Sequence, residues 1–222
     1  MLGIVLLSGG MDSATVLGQV LQEGWDVIPL NIQYGQRHSI ETDRAKQVAS
    51  FYNLDLRVQI FNLLGVVSSS LLGLSGKLSI NRSLKDIALE GIPSSYVPAR
   101  NTIFLAVAGG IAESVGADVV FYGAHQSDCG GYPDCTPSYV AAMSQALQLG
   151  TVRQIKVLAP LVSLSKKEVV KRAMDLGVPL HLTHSCYQGV DPACGICDTC
   201  RLRLDAFQQA GYEDPINYQT RR

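Results

Sequence analysis

The sequence has no surplus of either charge. Its 18 Lys and Arg stand against 19 Asp and Glu, a formal net charge of −1, and charged residues make up only 17% of the chain. A protein that coats nucleic acid needs a basic surface, so this balance argues against nucleic acid as a partner while leaving room for a small basic patch. Long apolar runs are lacking too: none would span a bilayer, and no early segment joins a basic start, an apolar core and a small-residue cleavage site. The expectation is a cytoplasmic protein without a membrane partner. In that compartment its six cysteines read as thiols or metal ligands rather than disulfides. Internal repeats and low-complexity tracts are absent, which excludes a solenoid. What remains is 222 residues, 47% of them hydrophobic, enough for one large α/β domain or for one domain with a small appendage.

A further lack is local. Leu6-Leu7-Ser8-Gly9-Gly10-Met11-Asp12-Ser13 follows the apolar run Gly3–Leu7 and opens a helix-like stretch. Strand, Gly-rich turn and helix start is the geometry that sets a phosphate against backbone N–H groups. A Walker loop would place Gly-Lys-Ser/Thr after its glycines, with the lysine on the outer phosphates. Here Met-Asp-Ser stands instead, and Ser-Gly-Gly-x-Asp-Ser resembles the pyrophosphate loop of enzymes that split ATP into AMP and pyrophosphate. Gly9 and Gly10 would let N–H groups approach phosphate oxygens, and Ser8 and Ser13 would offer hydroxyls. Asp12, itself negative, makes sense as a Mg²⁺ ligand bridging the phosphates. A plain helix cap by Asp12 or Ser13 is the competing reading.

The front half alternates strand-like and helix-like segments: strand Leu2–Leu7, helix Asp12–Gln22, strand Asp26–Ile32, helix Ser39–Tyr52, strand Leu56–Phe61. This predicts a doubly wound, mostly parallel α/β sheet, Rossmann-like, with ligands beyond the C-terminal strand ends. Ser68–Val97 reads as a long loop of the functional or mobile kind. Asn101–Val115 then reads as a buried helix, Asp118–Tyr122 as a strand, Pro137–Leu149 as a helix and Ile155–Leu158 as a strand. Ser165–Leu176 reads as a helix with Ser165 and Glu168 in a capping box. A cysteine-rich turn, Cys186–Cys200, and a helix over Leu202–Ala210 close the chain. The apolar stretch Leu63–Leu74 suits an interface and a core equally.

Cys186, Cys194, Cys197 and Cys200 include Cys-x-x-Cys pairs whose thiolates satisfy tetrahedral Zn²⁺, with Gly195 easing the turn. A closed set of four sulfurs leaves no open position, so the metal would be structural. His184 lies close and ranks below the thiolates as a ligand. Cys129 and Cys135 flank a Gly-rich loop at the active-site end, and packing is preferred there to a nucleophile, since no base stands beside them. Asp128 and Asp134 are candidates to accept N–H bonds from the edge of a purine-like base, with turn or helix capping as the alternative. Arg37, after the second strand, would clamp a phosphate or carboxylate; for His38 beside it a solvated helix start is preferred. Arg100, at the positive end of a helix, is locally unfavourable there, which favours an anion-binding role.

Together these strings resemble one family, the 7-cyano-7-deazaguanine synthases of queuosine precursor synthesis, within the ATP pyrophosphatase superfamily. The matching pieces are Leu7–Ser13, Tyr34-Gly35-Gln36-Arg37-His38, Tyr96-Val97-Pro98-Ala99-Arg100-Asn101, Gly131-Tyr132-Pro133-Asp134-Cys135 and the four-cysteine tail. Two departures are Ala99, where Gly is common, and Ala124–Ser127. The resemblance implies an adenine nucleotide alpha-hydrolase-like fold and an AMP-forming carbon–nitrogen ligase. Its substrates would be 7-carboxy-7-deazaguanine, ammonia and ATP, and Mg²⁺ and structural Zn²⁺ would be its metals. The acid would be adenylated, converted to the amide by ammonia, adenylated again and released as the nitrile. ATP would lie along Leu7, Ser8, Gly9, Gly10, Met11, Asp12, Ser13, Ala14, Thr15, Val16 and Leu17. Catalysis would fall to Asp12, Ser13, Arg37 and Arg100, and substrate binding to Arg100, Asn101, Asp128 and Asp134. A homodimer is implied, with residues 1–180 as the ATP domain and 181–222 as a zinc-binding segment packed on it. A tRNA thiolase would share the loop but would need a basic RNA face. A zinc-knuckle adaptor on an inactive fold would not need the intact Ser8–Ser13 string.

Overall fold

The computed structural model describes residues 1–35, 40–63, 69, 71, 78–89, 91–128 and 131–221, with the backbone alone at Asp128. The expected alternation is present as β1 (Leu2–Leu6), α1 (Met11–Gln22), β2 (Asp26–Gln33), α2 (Ile40–Phe51) and β3 (Arg57–Ile60). There follow α3 (Leu84–Leu89), α4 (Arg100–Val115), β4 (Val119–Phe121), α5 (Pro137–Gly150), β5 (Lys156–Leu158), α6 (Lys166–Asp175) and α7 (Asp198–Ala210). Among the described residues five strands form one sheet, ordered β3-β2-β1-β4-β5, and every pairing is parallel. The winding reverses between β1 and β4, and that crevice, beyond the C-terminal strand ends, is where a doubly wound sheet binds its ligand.

A central parallel strand is covered on both faces, so it reads as a continuous apolar run. Val5 of β1 packs with Val119 and Phe121 against residues of α1, α2, α6 and α7. Its neighbour Ile4 packs with Leu30 and Val120 against Leu105, Ala108 and Ala112 of α4 and Met143 of α5. Each buried Val, Leu, Ile, Phe or Met among them contributes about 1.5–3 kcal/mol. Among the described residues no helix is long and apolar enough to cross a membrane.

Three expectations change. α4 is not buried all round: Leu105, Ala108, Gly109 and Ala112 face the core, while Ala106 and Gly110 are exposed. Its small residues made the sequence apolar without making every face a contact. Ser68–Val97 contains α3, for which Ser83 accepts from Asp86 N at 3.1 Å and donates to the Asp86 carboxylate at 2.6 Å. α7 begins at Asp198, not Leu202. Asp198 in the first turn suits the helix dipole, and the start draws Cys200 onto the helix. The capping box at α6 is present, with Ser165 N donating to Glu168 at 2.8 Å. Leu63 of the ambiguous apolar stretch is core, packed with Tyr34 and Val97; residues 64–68, 70 and 72–74 lie outside the described residues.

Candidate active site and metal centre

Beyond β1 the chain turns through Leu7–Gly10 into α1. Ser8 N donates to Ser13 Oγ (3.2 Å), the two hydroxyls lie 3.1 Å apart, Gly10 N donates to Ser8 Oγ (3.3 Å), and Ser13 Oγ donates to Gly10 O (3.0 Å). The loop is therefore closed by its own side chains. Gly9 has φ +85°, and a Cβ there would sit 2.4 Å from Glu41 O and 2.7 Å from Ala45 N. Close packing of α2 thus requires this glycine independently of any phosphate. Leu7, Met11, Ala14, Thr15, Val16 and Leu17 point into the core, so of the Leu7–Leu17 segment the surface presents mainly Ser8, Gly10 and Asp12.

Asp12 is engaged. Lys166, the first residue of α6, donates to Asp12 Oδ1 at 2.7 Å and to Oδ2 at 2.6 Å, and lies 3.0 Å from His125 Nε2. Burial pushes the Asp12 carboxyl up, but Lys166 and His125 together outweigh it and hold the carboxyl below its ordinary value. His125 follows β4 and is buried. Lys166 N also donates to Ser127 Oγ at 3.2 Å. The loop that lacks a lysine in sequence thus receives one from 154 residues downstream.

A second cluster lies beside the loop. Tyr34, just past β2, has the Arg100 guanidinium 5.9 Å from its ring centroid. Tyr132 OH is 3.0 Å from Ser95 Oγ and 3.4 Å from Tyr187 OH. Burial raises the Glu41 carboxyl while nearby Arg100 and His184 oppose the shift, so Glu41 lies between this cluster and Gly9. Asp134 accepts from Asn101 N at 3.1 Å, and Asn101 Nδ2 donates to Cys135 Sγ at 3.4 Å. Asp134 is therefore a cap, but for α4; Thr136 caps α5, accepting from Tyr139 N at 3.2 Å. Ala99 takes the left-handed conformation, φ +53°, a region that glycine enters more readily than alanine. Arg37, His38 and Cys129 lie outside the described residues, as does the Asp128 side chain.

The four tail cysteines come together. The Sγ atoms of Cys186, Cys194, Cys197 and Cys200 all lie within 4.8 Å of one another, and all four residues are buried. Tetrahedral Zn²⁺ with bonds of about 2.3 Å would space its sulfurs about 3.8 Å apart, so the cluster fits such an ion. Cys194 N donates to Cys186 Sγ, and Cys197 N to Cys194 Sγ, each at 3.4 Å. Gly195 has φ +77°, and a Cβ would fall 1.6 Å from Thr220 O, so the tail closes directly over the knuckle. Arg203 and Asp214, each 1% exposed, pair at 2.7 Å behind it. His184 is not in the cluster: its N donates to Gly9 O at 2.9 Å.

Residues 3–211 match the family model of the queuosine biosynthesis protein QueC. The chain belongs to the QueC family. It is 45% identical over 221 residues to the 7-cyano-7-deazaguanine synthase of Thermoplasma volcanium, covering 97% of this chain and 90% of that one. It is 42% identical over 221 residues to that of Oceanobacillus iheyensis, covering 97% of each. Among solved structures the U34-tRNA thiolase NcsA of Methanococcus maripaludis is similar at 16% identity and a TM-score of 0.48, over 93% of this chain and 64% of that one. Membership makes this chain an enzyme of queuosine biosynthesis.

Sequence reasoning did not single out Lys166, His125 or Tyr187, which the structure brings to these two clusters. For Lys166 a signal existed: Ser165-Lys166 starts a helix after a strand, and in an α/β fold such a start borders the ligand end of the sheet or its opposite rim. His125 stood within the stretch noted only as a departure. Nothing local marks Tyr187 apart from its place after Cys186.

Proposed function

We propose that this QueC-family enzyme converts 7-carboxy-7-deazaguanine and ammonia to 7-cyano-7-deazaguanine, consuming two ATP and releasing AMP and pyrophosphate. The observation that carries this reading is the loop Ser8–Ser13 at the winding reversal, with Lys166 folded onto its aspartate. A carboxylate is a poor electrophile. Its oxygen attacks the α-phosphorus of ATP, pyrophosphate leaves, and an acyl adenylate results. Ammonia adds to the acyl carbon and AMP departs, leaving the amide. The amide oxygen is adenylated in turn, and loss of AMP and a proton gives the nitrile. No side-chain nucleophile is needed, so the chain's residues position and stabilise charge. Ser8, Gly9, Gly10 and Ser13 face the phosphates through N–H and hydroxyl donors. Lys166 supplies a cation for the departing pyrophosphate, and Arg37 and Arg100 serve the acid or that leaving group. Asn101 and Asp128 remain candidates for the base, and Asp134 acts through the first turn of α4.

Asp12 would hold Mg²⁺, whose preference for hard oxygen ligands suits a carboxylate; both its oxygens bond Lys166, so the lysine must give way first. When bound, that ion would neutralise phosphate charge. The four thiolates would hold Zn²⁺ as a structural ion. We read residues 1–180 as the ATP domain and 181–222 as a segment packed on it, since Ala206 and Phe207 of α7 join the core of α1 and α6. A cytoplasmic homodimer completes the reading, supported by Leu149 and Val152, 82% and 95% exposed at the end of α5. Mass spectrometry of products from 7-carboxy-7-deazaguanine, ATP, Mg²⁺ and ammonium tests it: nitrile with AMP is expected, and ADP or an absence of nitrile would overturn it.

A further inference from the structure

We infer that Arg100, Tyr34, Tyr132 and Tyr187 form the subsite for the flat aromatic acid, with Arg100 taking its carboxylate, and that the cysteine knuckle sets this subsite by holding Tyr187. The inference rests on the function proposed above and deepens it.

Arg100 differs from the paired arginines of the fold. Arg203 pairs with Asp214, Arg82 with Asp198 and Arg44 with Asp191. Among the described residues no ion pair includes Arg100, whose neighbours are the phenols of Tyr34, Tyr187 and Tyr132. The carboxyl that faces it, Glu41, is pushed up by burial, and the planar fork of the guanidinium matches a ligand carboxylate in two-point contact. The surrounding rings have the complementary chemistry for the rest of such a ligand. Tyr34 lies under the guanidinium, and the Tyr96 and Tyr132 rings are 6.2 Å apart. The Tyr132 and Tyr187 hydroxyls, 3.4 Å apart with Ser95 beside them, give polar contacts at the rim. A flat heteroaromatic acid needs this combination of π faces, hydroxyls and one fixed cation.

The subsite also abuts the nucleotide loop, as adenylation requires. Glu41 faces Arg100, and its carbonyl oxygen packs against Gly9. Four consecutive residues then link every part. His184 N bonds Gly9 O, Ser185 O accepts from Thr199 of α7 at 2.6 Å, Cys186 joins the sulfur cluster, and Tyr187 reaches Tyr132. An ion held by Cys186 and its three partners would therefore place Tyr187.

The test is equilibrium binding of 7-carboxy-7-deazaguanine to the full-length, metal-loaded chain without ATP, with a non-hydrolysable ATP analogue as a parallel ligand. Arg100→Met is expected to weaken the acid about 100-fold, the loss of one charged two-point partner, with nucleotide affinity within about twofold. Arg100→Lys, which keeps the charge but not the fork, should lose less. Tyr187→Ala should weaken the acid about 5–10-fold at unchanged metal content, and Tyr187→Phe should restore most of it. Unchanged acid affinity in Arg100→Met, or parallel loss of acid and nucleotide, would overturn the subsite. If the wild-type chain itself fails to bind the acid, the proposed function falls instead.

Discussion

Between Leu7 and Ser13 the chain closes on itself through hydroxyls and backbone, whereas between Cys186 and Cys200 it gathers four sulfurs that bond each other poorly. The first region is shaped before any ligand arrives. Ser8 and Ser13 bond one another, Gly9 is pinned by α2, and the cation that phosphates would need is already docked on Asp12. In the second, buried thiols face one another, with Cys194 and Cys200 Sγ 4.0 Å apart, and their packing makes little sense without an ion between them. On the function proposed above, the Leu7–Ser13 loop would be a preorganised site that exchanges one cation for another, and the knuckle would be a site whose ligand is part of its fold.

The largest expected effect follows from that contrast. Chelating the metal, or Cys197→Ser, should collapse the knuckle, since such ions contribute on the order of 10 kcal/mol to local folding. Thermal unfolding should shift far more than on adding a non-hydrolysable ATP analogue, for which linkage gives about 2.7 kcal/mol at a hundred times its Kd. Equal shifts would erase the distinction. Next, Lys166→Ala should lower pyrophosphate release by about 10³-fold, comparable with removing one oxyanion donor, at full metal content. Asp12→Ala should abolish release with the knuckle still folded; turnover near wild type in either variant would remove these residues from the machinery.

The Asp12–Lys166 pair also has a pH signature. Because its folded-state pKa is depressed, Asp12 contributes stability that is complete above the unfolded value of about 3.9 and lost as pH falls through the lower folded value. Denaturant unfolding of wild type and Asp12→Asn should therefore differ by a constant amount from pH 7 to about 5 and converge below about 4. A difference unchanged at pH 3 would deny the pair. The smallest effect is expected at Ser165, which caps the helix that begins with Lys166. Ser165→Ala should cost about 1 kcal/mol in unfolding free energy with a modest rise in KM for ATP and none for the acid.

Legibility in the sequence tracks how local each feature is. β1, its loop and α1 are contiguous, so an apolar run, two glycines and a helix start were enough to read them, and the four cysteines span only fifteen positions, 186–200. The parallel sheet followed from alternation. What escaped was assembled across the chain. Lys166 meets Asp12 only because β4 and β5 wind back past β1, and Arg100 converges from the start of α4 with Tyr132 and Tyr187 from two separate loops. For Asp134 a base-facing and a helix-capping role were both open, because a carboxylate before a helix looks alike in sequence whether it serves that helix, a ligand or, as here, the N–H of Asn101 on another helix. The start of α7 escaped because cysteines in a turn-rich string hid a helix whose first turn carries a ligand.

The most direct measurement uses substrate acid labelled with ¹⁸O at both carboxylate oxygens, with the products read by mass spectrometry. Two successive adenylations should deliver one labelled oxygen to each of two AMP molecules, leaving pyrophosphate unlabelled and the nitrile without oxygen from the acid. Label in pyrophosphate or in inorganic phosphate, or AMP formed without label, would contradict attack by the acid at the α-phosphate over Ser8–Ser13.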